Sequence, residues 1–142
     1  MSESIVPAFA VTPGYGEEGF ANYHMVQAVR IGQRVEVSGQ TGRRGDGTFP
    51  ADVDEEIATT FVNIGHTLAS VGASWSEVYS ITSYHVPDER DGGGLLYSNT
   101  LMVEQMRLHM PDRKPLWTCI GVKNLGIPAM RVEIVVVAHV ED

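Results

Sequence analysis

The residues best able to do chemistry lie on two strand-like segments near the carboxyl end of the chain. The first segment, "PLWTCIGV", carries Trp117 and the chain's only cysteine, Cys119; the second, "MRVEIVVVAHV", carries Glu133. Because side chains alternate along a strand, Trp117 and Cys119 should share one face. A carboxylate on an otherwise apolar strand is costly to bury unless it is paired or hydrated, so Glu133 is a candidate catalytic residue.

The alternation of the last strand predicts which way the Glu133 side chain points. Val132, Ile134 and Val136 form an apolar series typical of a core-facing strand. Glu133 should then face the other way, and Arg131 should share its face and be available to bind a substrate carboxylate. A plain Arg–Glu pair at a surface or an interface remains the alternative.

Cys119 is the only other candidate for direct chemistry, and the sequence leaves its role open. A thiol acts as a nucleophile only when a nearby base or cation lowers its pKa, and a buried structural thiol is commoner. Five histidines are scattered without the spacing of a metal site. The sequence therefore indicates no metal site.

Two helices and five strands should position these residues. Apolar residues at helical spacing predict a helix over 52–71, with Asp52 as N-cap, and a second helix over 95–109 that ends before Pro111. Strands are predicted at 24–30, 33–39, 76–86, 115–122 and 130–140.

This order predicts one α+β domain over residues 1–142 with an irregular segment at 1–22. The arrangement β-β-α-β-α-β-β should fold as a sandwich with the helices on one face of a mixed sheet. The last strand is more apolar than a solvent-facing strand, so the uncovered face of the sheet should meet another subunit.

Composition excludes some classes of partner. The formal net charge is -8 and no basic run occurs, which argues against binding nucleic acid or an anionic membrane. We find neither an apolar run long enough to span a bilayer nor a signal peptide at the N-terminus. The sequence is typical of a soluble cytoplasmic protein that acts on a small molecule.

Four sequence blocks together resemble the Rid (YjgF-type, reactive intermediate deaminase) superfamily. They are "VQAVRIGQRVEVSGQTG", "DEEIATTFVNIGHTLASVGASWSEVYSITSYHV", "YSN" and "CIGV" followed by "VEIVVVAHV". The resemblance implies a chorismate-mutase-like α+β fold, a homotrimer with ligand clefts between subunits, and no cofactor. The best-known branch hydrolyses enamines and imines to 2-keto acids and ammonia.

The resemblance also assigns roles to individual residues. Glu133 matches a glutamate that positions or activates water, Ser38 a serine of the cleft, Cys119 its cysteine and Asn99 its asparagine. Where the deaminase branch has a carboxylate-binding arginine, this chain has Trp117. The family's tyrosine near the first strand aligns with Met25, and Tyr23 lies close by.

These residues leave three functional hypotheses. The first is hydrolysis of an imine, enamine or related metabolite, with Glu133 activating water and Trp117 selecting an apolar or aromatic substrate. Arg131, Arg113 or Lys114 would then hold any substrate carboxylate. The second is a different reaction on the same scaffold, such as isomerisation, elimination or condensation. The third is a trimer that binds a metabolite without catalysis.

Overall fold

The computed structural model describes residues 5–141, which are built around one six-stranded mixed sheet. The spatial order of the strands is β1-β2-β3-β6-β4-β5, and every neighbouring pair is antiparallel except β4 with β5. The last strand in sequence, β6, is therefore central. The strands are β1 Ala8–Ala10, β2 Ala28–Ile31, β3 Arg34–Gln40, β4 Val78–His85, β5 Leu116–Gly121 and β6 Val132–His139.

Two long helices and one short helix accompany the sheet. They are α1 Glu17–Asn22, α2 Val53–Ser70 and α3 Leu96–His109, with single 3₁₀ turns at Trp75–Glu77 and Glu89–Asp91. Asp52 caps α2 as predicted, because its carboxylate accepts the backbone N–H of Asp54 at 3.2 Å. Both predicted helices are confirmed to within one residue at each end.

The core lies between the long helices and one face of the sheet. Ile57, Phe61 and Ile64 of α2 are fully buried, as the apolar stripe of this helix predicted. They form one cluster with Ile134 and Val136 of β6, which are also fully buried. The α+β class and the placement of the helices on one face of a mixed sheet are thus confirmed.

The segment predicted to be irregular, 1–22, contains two regular elements among its described residues. Ala8–Ala10 pairs with β2 at the edge of the sheet, and Glu17–Asn22 forms α1. The prediction was wrong there because prolines and glycines surround both elements. A strand of three residues is also too short to show alternation. Residues 1–4 lie outside the described part of the chain.

Neither long helix, α2 or α3, packs on the other face of the sheet, which we call the uncovered face. Val135 and Val137 of β6 point to this uncovered face, because their neighbours Ile134, Val136 and Ala138 are buried on the helix side. None of the helices in the described residues is long and apolar enough to cross a bilayer.

Candidate active site

The candidate residues form two groups on opposite faces of the sheet. In the register of the sheet, Cys119 pairs with Ser83, which pairs with the core residue Ile134, so Cys119 faces the helices. Glu133 pairs with Tyr84 on the other face. Within one chain, therefore, Cys119 and Glu133 do not share a cleft. The alternation of side chains along each strand was predicted correctly. It did not indicate which face of one strand lies on the same side of the sheet as a given face of the other strand.

Glu133 is half-buried on the uncovered face and packs directly on the backbone of Gly39. A Cβ atom placed on Gly39 would lie 2.7 Å from Cδ of Glu133, closer than carbon atoms approach without displacement. Burial raises the pKa of the Glu133 carboxyl above its ordinary value of 4.5, because the charged form loses hydration. A carboxylate with a raised pKa is a stronger base than an exposed glutamate, which suits it to take a proton from water.

Substituting Gly39 by Ala tests whether this resting position of the carboxylate matters. We expect the new methyl group to displace the Glu133 carboxylate and lower turnover by about ten- to a hundredfold, with little change in the unfolding midpoint. Gly45→Ala is the matched control, because a Cβ there meets nothing within 4 Å. Full activity of Gly39→Ala would show that catalysis does not depend on this placement.

The second group joins α3 to the edge strand β5. The thiol of Cys119 donates a hydrogen bond to Oδ1 of Asn99 at 3.0 Å, so the structure brings these two candidates together. Burial raises the pKa of the Cys119 thiol, and the nearby Ser83 hydroxyl opposes this shift only in part. The sulfur is therefore a neutral thiol at pH 7 and suits hydrogen bonding better than nucleophilic attack.

Trp117 also faces the helix layer, and its polar edge is already satisfied. Its indole Nε1 donates to Oγ of Ser83 at 3.0 Å, while the ring packs against the core. The N–H is thus used inside the protein, and only the carbon surface of the ring is available for a ligand.

Behind the indole lie two polar residues that the sequence analysis did not single out, Ser83 and His85. Both are fully buried, and His85 Nε2 lies 2.8 Å from Ser83 Oγ. His85 Nδ1 has no hydrogen-bond partner in the described residues. Burial lowers the pKa of His85 to about 4, partly opposed by Asp91, so the ring is neutral at pH 7. The sequence feature that could have identified Ser83 and His85 is their i, i+2 spacing, which places two polar residues on the core face of the same strand.

Arg131 does not share the face of Glu133, contrary to the prediction. It precedes β6, and its Nε donates to Oε1 of the fully buried Glu56 at 2.9 Å. Its Nη2 donates to the carbonyl oxygens of Pro50 and Ala51, each at 3.0 Å. The prediction failed because side chains alternate between faces only within a strand, and Arg131 lies before β6. Its guanidinium is hydrogen-bonded to the start of α2 and to the two residues before Asp52.

Ser38 and Tyr23 lie on the side of the sheet edge that carries Glu133. The Ser38 hydroxyl lies 3.3 and 3.2 Å from the carbonyl oxygens of Val26 and Gln27 and shares its one proton between them, beside an irregularity in the pairing of β3 with β6. Tyr23 is 67% exposed and lines a small hollow of about 150 Å³ whose wall includes Gly39. Gly39 thus connects this hollow to Glu133.

Metal ligands are not clustered in the described residues. No group of three or more His, Cys, Asp or Glu side chains within residues 5–141 is arranged to hold a metal ion. The candidate side chains described above are one carboxylate, one thiol with its asparagine, and one indole.

Fold and site together define a small α+β protein with a half-buried carboxylate on the uncovered face of its sheet. The model of the Endoribonuclease L-PSP family matches residues 18–140 of the chain. The chain therefore belongs to this family, which is the Rid or YjgF-type family that its sequence resembles. The RutC family protein YjgH of Escherichia coli (strain K12) is 29% identical over 138 residues, covering 97% of this chain and 99% of YjgH.

Solved structures share the fold of this chain. Rv2704 of Mycobacterium tuberculosis, described as a member of the YjgF/YER057c/UK114 family, superposes with a TM-score of 0.76 at 21% identity, over 95% of this chain and all of Rv2704. A structure of protein YJGH has a TM-score of 0.72 at 26% identity, over 99% and 97% of the two chains. E. coli TdcF with bound serine has a TM-score of 0.71 at 24% identity, over 82% and 88%.

Proposed function

We propose that the protein is a cofactor-independent hydrolase of imines, enamines or related reactive metabolites. The observation that carries the proposal is Glu133, a half-buried carboxylate with a raised pKa that rests on a glycine at the uncovered face of the sheet. The bound serine of TdcF supports a small, amino-acid-derived ligand for the fold.

Glu133 would act as the general base toward water. Its carboxylate takes a proton from a water molecule while the water oxygen forms a bond to the imine carbon; the π pair of the C=N bond moves to nitrogen, which then takes the proton from Glu133. In the resulting carbinolamine, Glu133 transfers the hydroxyl proton to nitrogen in the same way, and the C–N bond breaks to release ammonia and leave a carbonyl compound. One water is consumed for each ammonia released, and no oxidant, reductant or metal takes part.

The complete site would combine residues of two subunits. Glu133 lies on one face of the sheet and the Asn99–Cys119 pair lies on the other, beneath α3 and beside the edge strand β5. A single substrate molecule can contact both groups only if the second group belongs to a neighbouring chain. A homotrimer places each edge strand against another subunit and so provides three such clefts.

The uncovered face supports association for an independent reason. Val29, Val135 and Val137 line a shallow depression on this face, and Leu116 on the edge strand β5 is 71% exposed. Apolar surface of this extent is typical of a contact with another chain. In the proposed trimer the three uncovered faces would bury one another.

Mixing two inactive variants tests the composite site directly. We expect Glu133→Gln and the double variant Asn99→Ala/Cys119→Ala each to be nearly inactive, because each lacks one half of every cleft. Co-expressed in equal amounts, they should regain about a quarter of wild-type activity, since random assembly restores both halves at one cleft in four. The measurement is ammonia released from an enamine generated in situ by an amino-acid dehydratase.

The control places all three substitutions on one chain and mixes it with the wild type. Since a cleft then needs wild-type residues from both contributing chains, this mixture also retains about a quarter of the fully wild-type activity. No recovery in the first mixture would contradict the two-subunit site. Product analysis in the same assay separates hydrolysis from isomerisation, elimination or condensation, since only hydrolysis leaves a carbonyl group at the carbon that carried the released nitrogen.

A nucleic-acid substrate is not part of the proposal. Binding a nucleic acid requires many unpaired cations that follow the phosphates along an extended surface, and the chain carries a formal charge of -8. Among the described residues, five of the ten lysines and arginines are in ion pairs with carboxylates; these are Arg34, Arg43, Arg44, Arg90 and Arg131.

A further inference from the structure

A groove between the second half of α3 and the edge strand β5 has a composition unlike the rest of the surface. It has a volume of about 300 Å³, and its apolar wall is formed by Met106, Met110 and Trp117. We call it the Trp117 groove. Its volume is at the lower end of the range for small-molecule sites, so it accommodates a ligand body of about one ring.

Three cations surround this apolar wall: Arg107, Arg113 and Lys114. None of them forms an ion pair within the described residues, and the one hydrogen bond that their side chains make there is a long contact of 3.5 Å from Arg113 Nη1 to the carbonyl oxygen of Val78. No Asp or Glu lines the groove. In a chain of net charge -8, this is a local concentration of available positive charge.

We infer that the Trp117 groove binds a small carboxylate with an aromatic or branched aliphatic body and no ammonium group. The body packs on Trp117 and Met106, and the carboxylate is held by Arg113 and Lys114. The inference rests on the proposed function where it takes this acid to be the substrate. Binding of the acid in the groove does not depend on Glu133.

The indole orientation explains the apolar half of this specificity. Because Trp117 Nε1 donates to Ser83 inside the protein, the groove presents the ring without a hydrogen-bond donor. A polar group on the ligand body would lose its hydration and gain no partner there, whereas an aromatic ring loses nothing.

The absence of a lining carboxylate explains the selection against an ammonium group. A free amino acid carries an ammonium that would enter a groove with three cations and no counter-charge. The corresponding 2-oxo or unsubstituted acid carries only the negative group. The groove should therefore distinguish a deaminated acid from the amino acid with the same side chain.

Titration of the isotope-labelled full chain with 3-phenylpropanoate tests the inference. The chain has two tryptophans, so two indole N–H signals are expected in a nitrogen-correlated spectrum, and Trp117→Phe assigns them. We expect the Trp117 signal to move saturably and that of Trp75, 7% exposed in the core, to stay in place. L-Phenylalanine and 3-phenylpropanamide should bind at least about tenfold more weakly, since one adds an ammonium and the other removes the charge.

Variants separate the two halves of the groove. Arg113→Gln/Lys114→Gln should weaken binding of 3-phenylpropanoate by about tenfold, as expected for two exposed charge interactions. Met106→Trp should abolish it by filling the groove. Lys123→Gln is the control, because this lysine lies away from the groove and should leave the affinity unchanged.

Three results would overturn the inference: no saturable movement of the Trp117 signal, equal affinity for the amide, or unchanged affinity in Arg113→Gln/Lys114→Gln. Repeating the titration with Glu133→Gln keeps the proposed function separate. If Glu133→Gln still binds 3-phenylpropanoate but has lost turnover, both the groove and the proposed function are supported. Binding with undiminished turnover removes only the proposed function, and lost turnover in Glu133→Gln without any binding to the wild type removes only the groove.

Discussion

Replacing Glu133 by Gln lowers turnover by about two to four orders of magnitude, the usual contribution of a positioned general base, while the protein remains folded. The amide has nearly the same shape as the carboxylate but cannot take a proton from water. Burial raises the pKa of Glu133 because its charged form is costly there, so a neutral amide in the same place does not destabilise the fold. The measurement is steady-state kinetics together with a thermal unfolding curve.

Glu36→Gln provides the matched control for this substitution. Glu36 is an exposed glutamate on β3 and faces the same side of the sheet, opposite Val137. Its replacement removes a carboxylate from the same face of the sheet and leaves Glu133 in place, so turnover should stay within about twofold of the wild type. Equal turnover of Glu133→Gln and Glu36→Gln would remove Glu133 from the mechanism.

The pH dependence gives a second measure of the same residue. Since the base must be ionised, kcat/KM should fall as the pH drops through the raised pKa of Glu133, at a midpoint above 4.5. Stability should change in the opposite direction. A carboxyl whose pKa is higher in the folded than in the unfolded state binds its proton more tightly when folded, so its contribution to stability is lost as the pH rises through the folded pKa.

Replacing Arg131 by Ala lowers the free energy of unfolding by about 3 kcal/mol or more. Glu56 on α2 is fully buried, and its two carboxylate oxygens accept from the Nε and the backbone N–H of Arg131 at 2.9 and 2.7 Å. Removing the guanidinium leaves a buried negative charge with only the backbone donor. The measurement is chemical denaturation at several protein concentrations, because subunit association also contributes to apparent stability.

A second ion pair on the same helix is the control for Arg131. Arg44 pairs with Glu55 at 2.9 Å, but both side chains are largely exposed. Arg44→Ala should therefore cost less than about 1 kcal/mol. Similar losses for Arg44→Ala and Arg131→Ala would mean that the Glu56 charge is not buried in solution. Replacing Glu56 and Arg131 together by leucine should recover much of the loss, because no unpaired charge remains.

Local pattern was enough to predict most of the elements. The helices predicted at 52–71 and 95–109 occur at Val53–Ser70 and Leu96–His109, since their apolar spacing and end signals agree. The missed elements, Ala8–Ala10 and Glu17–Asn22, are short and are stabilised by contacts with distant parts of the chain. Backbone pairing of the first of these with β2 is a property of the folded sheet rather than of its own sequence.

The site was predicted less completely, for a reason of geometry. Alternation says which residues of one strand share a face, and it placed Trp117 with Cys119 correctly. It does not say how the faces of two strands correspond, which depends on register and sheet order; hence Glu133 is on the opposite side. Ser83 and His85 were not singled out because buried polar residues become informative only once their partners are known.

The central position of β6 has a consequence for the synthesis of the chain. Until β6 is synthesised, only β1 to β3 can pair with one another and only β4 can pair with β5, because β6 is the strand that joins these two parts of the sheet. The carboxylate of Glu56 also has no ion-pair partner until Arg131 is synthesised, because Arg131 lies 75 residues later in the chain. The sheet therefore cannot close until β6 has been synthesised, and until then the chain carries two partly exposed half-sheets that can make unwanted contacts.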